Sequence, residues 1–147
     1  MPRPARLLAI TALTLLLLDQ VTKAWALRAL TLGQSIPVVP GLFHLTLVKN
    51  PGVAFGLFAR CGGLVTAAAF VIVGGMVAVA LRPPISRAQV LAAGLILGGA
   101  IGNVVDRLRF GGVVDFFDFR VWPVFNVADS GITVGTILLA WCWWKGR

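Results

Sequence analysis

The stretch Leu7-Leu-Ala-Ile-Thr-Ala-Leu-Thr-Leu-Leu-Leu-Leu18 is almost entirely apolar and indicates the fold class of this chain. It continues through Asp19-Gln-Val-Thr-Lys23, and the whole segment 7–27 has the length of about 20 apolar residues that a helix needs to cross a bilayer. Three further segments have the same character, at 62–81, 88–105 and 125–144. The sequence therefore predicts an all-α membrane protein, with four transmembrane helices in a single domain over 1–147.

The composition excludes the other broad classes of protein. Of the 147 residues, 59% are hydrophobic and only 12% are charged, and the mean hydropathy is +0.93. A water-soluble domain has about a quarter charged residues, and disordered chains are poor in apolar residues. The 13 basic residues behind the net charge of +8 are scattered without a cluster or stripe, so no nucleic-acid partner is expected.

The distribution of basic residues predicts the orientation. With four spans, both termini and the short loop 82–87 lie on one side, and this side carries six basic residues and no acidic residue. The positive-inside rule places it in the cytoplasm, which leaves 28–61 and 106–124 as the outer loops. The start of the chain also imitates a cleaved signal peptide. We favour a retained helix because Asp19 and Lys23 stand where a signal peptide stays uncharged.

Two ionisable residues of the first segment require an explanation, because such groups are costly at membrane depth and mark functional candidates. Asp19 lies about 18 Å along the helix from Leu7, and Lys23 follows one turn later at the i,i+4 spacing that allows pairing. The favoured interpretation is a neutralised pair that fixes helix packing, and the alternative is the lining of a polar cavity. In the third segment, the glycine-rich stretch 94–102 predicts a face on which helices pack closely.

The fourth segment begins with Phe125-Asn-Val-Ala-Asp-Ser130, which contains two polar candidates. Asn126 and Asp129 are three residues apart and share a helix face. Asn126 is typical of a helix N-cap, and Asp129 could serve as a dipole partner there. Because Asp129 lies deeper than a cap requires, we favour a functional role for it.

The segment 113–122 is predicted to be a strand that follows the Gly111-Gly112 turn. The two-residue period places Asp115 on an otherwise apolar face, whereas Asp118 shares the opposite, exposed face with Arg120. Burial raises the pKa of a carboxyl group and a nearby cation lowers it. Asp115 is therefore predicted to be the buried, perturbed carboxyl group, and Asp118 an ordinary ion-paired one.

Asp115 and Asp129 can meet at the outer boundary of the membrane if the strand returns to the start of the last helix. Two close carboxyl groups share one proton, so one can activate a water molecule while the other donates a proton, as in aspartic proteases. The pair alone is a weak signal, and two unrelated interfacial aspartates have equal weight at this point. A serine hydrolase built on Ser130 and His44 lacks a GxSxG context, and no metal-binding spacing is present.

Five stretches, in order, resemble the lipoprotein signal peptidases (signal peptidase II), which are bacterial membrane aspartyl proteases. They spread over nearly the whole chain and are Asp19-Gln-Val-Thr-Lys23, Lys49-Asn-Pro-Gly-Val-Ala-Phe-Gly56, Gly98-Gly-Ala-Ile-Gly-Asn-Val-Val-Asp-Arg107, Val113-Val-Asp-Phe116 and Phe125-Asn-Val-Ala-Asp-Ser130.

The resemblance implies that Asp115 and Asp129 are the catalytic pair. It implies a small extracytoplasmic β-sheet cradle, here near 42–58 and 113–122, and an active site at the outer leaflet of the bacterial inner membrane. Residues implied to bind substrate or support the site are Asp19, Lys23, Asn50, Gly52, Asn103, Arg107 and Asn126.

For three of these residues the sequence leaves alternatives open. Asn103 is equally consistent with a buried hydrogen bond between helices. Arg107 could hold Asp106, a backbone carbonyl group or the substrate chain. Asn50 could merely stabilise the Pro51-Gly52 turn.

The resemblance also implies the substrate and the absence of a cofactor. The substrate is a prolipoprotein that carries diacylglycerol on a cysteine, in contact with membrane lipid, and cleavage falls just before that cysteine. No metal or organic cofactor is implied, and globomycin is the implied type of inhibitor. Two rival hypotheses are a small proton or ion conduit that uses Asp19, Lys23 and Asp129, and a non-catalytic membrane scaffold.

Overall fold

The computed structural model describes residues 4–51, 71, 73–75, 77–78 and 86–146. Three long helices and a small sheet form this part of the chain. The elements in order are α1 (Pro4–Ala29), β1 (Ser35–Val39), β2 (Phe43–Asn50), α2 (Arg87–Phe110), β3 (Val113–Asp118) and α3 (Val127–Lys145).

All three helices are long and apolar enough to cross a membrane. In helix α1 the apolar side chains of Leu13, Leu17 and Val21 are exposed, as a lipid environment requires. The charged side chains of Asp19 and Lys23 are buried, which is the reverse of the pattern in a water-soluble protein. The predicted helix over 62–81 lies for the most part outside the described residues, and the described positions between 71 and 78 are helical.

Helix α2 ends at Phe110, five residues beyond the predicted end at 105. Gly111 ends it with a left-handed backbone (φ 70°), and its N–H donates to the carbonyl oxygen of Arg107. The sequence predicts an outer loop over 106–124, but the charged residues in 106–109 form the last helical turn. As a result, Asp106 and Arg107 project from a rigid helix.

Glycines let the helices approach closely, as the sequence predicted. A Cβ atom added at Gly94 would meet the side chain of Thr11 of α1, and one added at Gly99 would meet the backbone of α3 at Ala128. Packing of this kind suits a membrane interior, where apolar side chains gain little from leaving lipid. Away from the sheet, a small apolar cluster closes the bundle, with Val73 and Val77 packed against it, and it consists of Ala92, Ala93, Ile96 and Leu139.

The sheet is antiparallel with the order β1-β2-β3. Strand β1 contains Pro37, and β1 is the edge strand, where a residue without an N–H is tolerated. Strand β3 ends at Asp118, four residues before the predicted end. The sheet packs on the ends of α1 and α2 through a core of Ala26, Leu30, Leu47, Val114 and Phe116.

Candidate active site

A buried ionic cluster lies between the helices at their sheet-side ends. The Nζ atom of Lys23 lies 2.8 Å from Oδ2 of Asp19 and 2.7 Å from Oδ2 of Asp106. All three residues are 2% exposed or less. The predicted pairing of Asp19 with Lys23 is confirmed, but the sequence analysis missed Asp106 as the second carboxylate on this lysine.

The two carboxylates also bind backbone groups of other elements. Oδ1 of Asp19 accepts a hydrogen bond from the N–H of Ala128 in the first turn of α3, and Oδ2 of Asp106 accepts one from the N–H of Val114 in β3. The cluster therefore connects α1, α2, α3 and β3. Gly102 leaves room for it, because a Cβ atom there would lie 2.5 Å from Oδ2 of Asp19.

Asn103 links the ionic cluster to Asp129 by hydrogen bonds, and the cluster fixes the orientation of its side-chain amide. Its Oδ1 atom accepts from Nζ of Lys23 at 3.0 Å, and its Nδ2 atom donates to Oδ1 of Asp129 at 2.8 Å. A lysine ammonium can only donate, so the amide oxygen must face it and the amide N–H groups face the other way. The bond between helices considered for Asn103 is present, and one of its partners is a candidate catalytic residue.

Asn126 is the N-cap of α3 and joins the two candidate aspartates. Its Oδ1 atom accepts from the N–H of Asp129 at 2.9 Å, and its backbone N–H donates to Oδ2 of Asp129 at 3.3 Å. Its Nδ2 atom donates to Oδ1 of Asp115 at 2.6 Å. The expectation that Asp129 lies too deep for capping is wrong, since this reciprocal arrangement is a capping box.

Asp115 lies in β3 and is 2% exposed. Its second carboxylate oxygen, Oδ2, accepts a hydrogen bond from Nδ2 of Asn50 in the neighbouring strand β2. Burial, together with the negative charge of Asp129, raises the pKa of Asp115 from its ordinary value to about 7. Asp115 is thus the buried, perturbed carboxyl group that the strand pattern predicted.

The predicted ion pair of Asp118 with Arg120 is confirmed, but the predicted exposure is wrong, because Asp118 is only 5% exposed. The strand ends there, and the chain turns so that Arg120 returns to it, with Nη1 3.1 Å from Oδ2 of Asp118. The hydrogen bond from Thr46 is the main factor that lowers the pKa of Asp118, and contacts with Arg120 add to it against the opposing effect of burial.

The remaining candidates are placed as follows. Arg107 donates from Nη1 to the carbonyl oxygen of Asn103 at 3.4 Å, which is the backbone-carbonyl alternative. Gly52 lies outside the described residues. Ser130 donates to the carbonyl oxygen of Asn126, whereas His44 contacts Ser35, so the serine-hydrolase pair is not formed.

Among the described residues, no group of three or more histidine, cysteine, aspartate or glutamate side chains is arranged to hold a metal ion.

An apolar groove of about 550 Å³ runs beside Asp129. One wall comes from the segment after β3 and the other from the first two turns of α3. Its lining residues are Phe119, Val121, Trp122, Phe125, Asp129, Ser130, Thr133 and Val134. A carboxylate at the edge of an apolar groove is the arrangement expected where an apolar peptide segment is held next to reacting groups.

Sequence reasoning also missed Gln20. Its Nε2 atom donates to Oδ1 of Asp106 at 3.0 Å and contacts Oδ2 of Asp19 at 3.2 Å. The sequence signal for this contact was the spacing of Asn103 and Asp106, which are three residues apart and so share a face of α2. Nothing in the sequence said that this face meets Gln20 of α1.

Comparisons with known proteins identify a family to which this chain is similar. A family model described as Signal peptidase (SPase) II matches residues 11–145. A lipoprotein signal peptidase of Pelotomaculum thermopropionicum is 49% identical over 130 residues, covering 86% of this chain and 84% of the relative. One of Halothermothrix orenii is 40% identical over 136 residues, with 92% and 94% covered.

The fold is similar to that of a bacterial membrane enzyme solved by the in meso method at 1.9 Å resolution. The TM-score is 0.83 at 29% identity, with 94% of this chain and 92% of the other covered. The chain is therefore a membrane protein of the signal peptidase II family.

Proposed function

We propose that this protein is an aspartic endopeptidase that removes the signal peptide from diacylglyceryl-modified prolipoproteins and cuts just before the modified cysteine. The observation that carries the proposal is that Asn126 hydrogen-bonds to both Asp115 and Asp129, of which Asp129 lines the apolar groove. Membership of the signal peptidase II family supports this activity and gives no support to the proton or ion conduit.

The two aspartates have different surroundings, which divides the roles between them. Asp129 lies in the first turn of α3, where the helix dipole favours a negative charge. Asp115 lies in a buried strand, and its raised pKa of about 7 favours the protonated form. We assign the proton of the pair to Asp115 and the role of general base to Asp129.

Hydrolysis follows from this assignment. Asp129 takes a proton from a water molecule, whose oxygen attacks the carbonyl carbon of the scissile bond, while Asp115 gives its proton to the carbonyl oxygen. The C–N bond of the tetrahedral intermediate then breaks as Asp129 passes its proton to the leaving nitrogen. Asp115 recovers its proton from the hydroxyl group of the intermediate, so both residues return to their starting states.

The same proposal includes the setting of the site. Four transmembrane helices, with both termini in the cytoplasm, place the sheet and the aspartate pair at the outer leaflet of the bacterial inner membrane. The higher density of basic residues at the termini supports this orientation. Membrane lipid surrounds the exposed faces of the helices, and we expect a globomycin-type inhibitor to compete with the substrate.

The experiment that tests the activity is cleavage of a purified precursor. The enzyme in detergent is incubated with a diacylglyceryl-modified prolipoprotein, and mass spectrometry identifies the new N-terminus. We expect a single cut before the modified cysteine and none in the same precursor without the lipid. A cut elsewhere, or no turnover of the modified precursor, would contradict the proposal.

The pH dependence of the reaction tests the assignment of the proton. Asp115 must be protonated to act as the acid, so kcat/KM is expected to fall as pH rises through about 7. With an ordinary carboxyl pKa, the fall would come about three units lower. The check is kcat/KM between pH 5 and pH 9, and a flat profile over that range would refute the assignment.

A further inference from the structure

Asp118 is the acceptor at the centre of a clamp where the chain leaves β3. Its Oδ1 atom accepts from the backbone N–H of Arg120 at 2.8 Å. Its Oδ2 atom accepts from Oγ1 of Thr46 at 2.7 Å and from Nη1 of Arg120 at 3.1 Å. One buried carboxylate thus joins strand β2 to the segment 119–124, which we call the wall loop.

The wall loop has a conformation that requires such support. Arg120 has a left-handed backbone with φ 64°, which is uncommon for a residue with a side chain. Strained backbone of this kind persists where the surrounding contacts hold it. At the base of the loop, Phe117 and Phe125 exchange backbone hydrogen bonds of 3.0 Å and 2.8 Å, and the rings of Phe119 and Phe125 stack at 5.9 Å.

The loop forms one side of the groove beside Asp129. Phe119, Val121 and Trp122 line the groove, whereas Arg120 between them points back to Asp118. Val121 and Trp122 are 91% and 68% exposed, so their own packing does little to hold them. Their position depends on the backbone of the loop, and hence on the clamp.

We propose that Asp118 is a positioning residue for substrate binding, which holds the wall loop in place so that the groove can accept the substrate segment next to the reacting groups. The inference rests on the proposed function only in assuming that the substrate occupies this groove. Asp118 does not touch Asp115 or Asp129 through any hydrogen bond of the described residues, so its loss should weaken binding and leave the chemical step unchanged.

The test compares Asp118→Ala with Asp118→Asn and Thr46→Val. We expect Asp118→Ala to raise KM about tenfold, the worth of one charge-assisted hydrogen bond, with kcat within about twofold of the wild type. Asp118→Asn keeps an oxygen for the N–H of Arg120, and Thr46→Val removes one of the three bonds, so each should raise KM by about threefold. Thr136→Val, on the exposed side of α3, is the control and should leave KM unchanged.

Binding measured without cleavage separates this inference from the proposed function. The Kd of a fluorescent diacylglyceryl-modified precursor is determined in an Asp115→Asn background, with and without Asp118→Ala. A tenfold weaker Kd supports the clamp even if no cleavage is ever observed. An unchanged Kd, or a fall in kcat with KM unchanged, overturns it. If Asp118→Ala does not fold, the Asn and Val variants decide the question by the same criteria.

Discussion

Asp115→Asn and Asp129→Asn are each expected to lower kcat for precursor cleavage by about 10³-fold or more, with little change in KM. Asparagine has the shape of aspartate but can neither hold the proton that Asp115 donates nor accept the proton that Asp129 removes from water. The double variant should be hardly slower than either single variant, because the two groups act as one unit.

The cleavage assay with both variants measures this effect. Thermal unfolding in detergent must accompany it, since each amide also disturbs hydrogen bonds to Asn126 or Asn103. Thr136→Val is the control, because Thr136 is exposed on α3 and its hydroxyl group donates to the backbone carbonyl oxygen of Ile132. Turnover within a few-fold of the wild type in either aspartate variant would rule out the aspartic mechanism.

Lys23→Met is expected to lower the free energy of unfolding by about 3–5 kcal/mol, the largest stability effect that we predict. The substitution leaves Asp19 and Asp106 facing each other without the cation that lies within 2.8 Å of both. Uncompensated buried charge is costly, whereas the methionine side chain itself fits an apolar interior. Activity should fall too, because the amide of Asn103 loses the donor that orients it toward Asp129.

Chemical or thermal unfolding of the purified variant in detergent measures this loss. Arg28→Met is the control, since Arg28 is an exposed basic residue in the last turn of the same helix, and its effect should stay within about 0.5 kcal/mol. Adding Asp106→Asn to Lys23→Met removes one of the unpaired charges and should recover part of the stability. If the double variant is less stable by the full sum of the two single effects, the ionic cluster does not act as described.

Much of the candidate site could be predicted because polar residues are costly in an apolar membrane segment, so the few that are present stand out. Asp19 and Lys23 interrupt an apolar segment, and charged groups there must pair or serve a function. Asp115 could be singled out because alternation along a strand separates it from its neighbours. Asp129 and Asn126 follow from their three-residue spacing at the start of a helix.

The predictions that were wrong depend on contacts between residues far apart in sequence, which local sequence patterns do not reveal. Asp118 was placed on an exposed face because alternation assumes a straight strand up to Trp122, but the chain turns at Arg120 and buries the carboxylate under Thr46 of another strand. Asp106 was assigned to a loop because charge usually ends a membrane helix. It remains in α2 because Lys23 and the N–H of Val114 satisfy its carboxylate.

The amino-acid sequence is enough to identify a membrane protein and the few polar residues that are candidates for its chemistry, because solvent compatibility and residue spacing are local properties. The tertiary structure decided how these residues are connected. One lysine binds two carboxylates. Asn103 links this lysine to Asp129 by hydrogen bonds, and Asn126 hydrogen-bonds to Asp115. Such connections depend on distances between helices that are far apart in sequence. Among the described residues, those distances are set by glycine packing between the helices and by hydrogen bonds from backbone N–H groups to the carboxylates of Asp19 and Asp106.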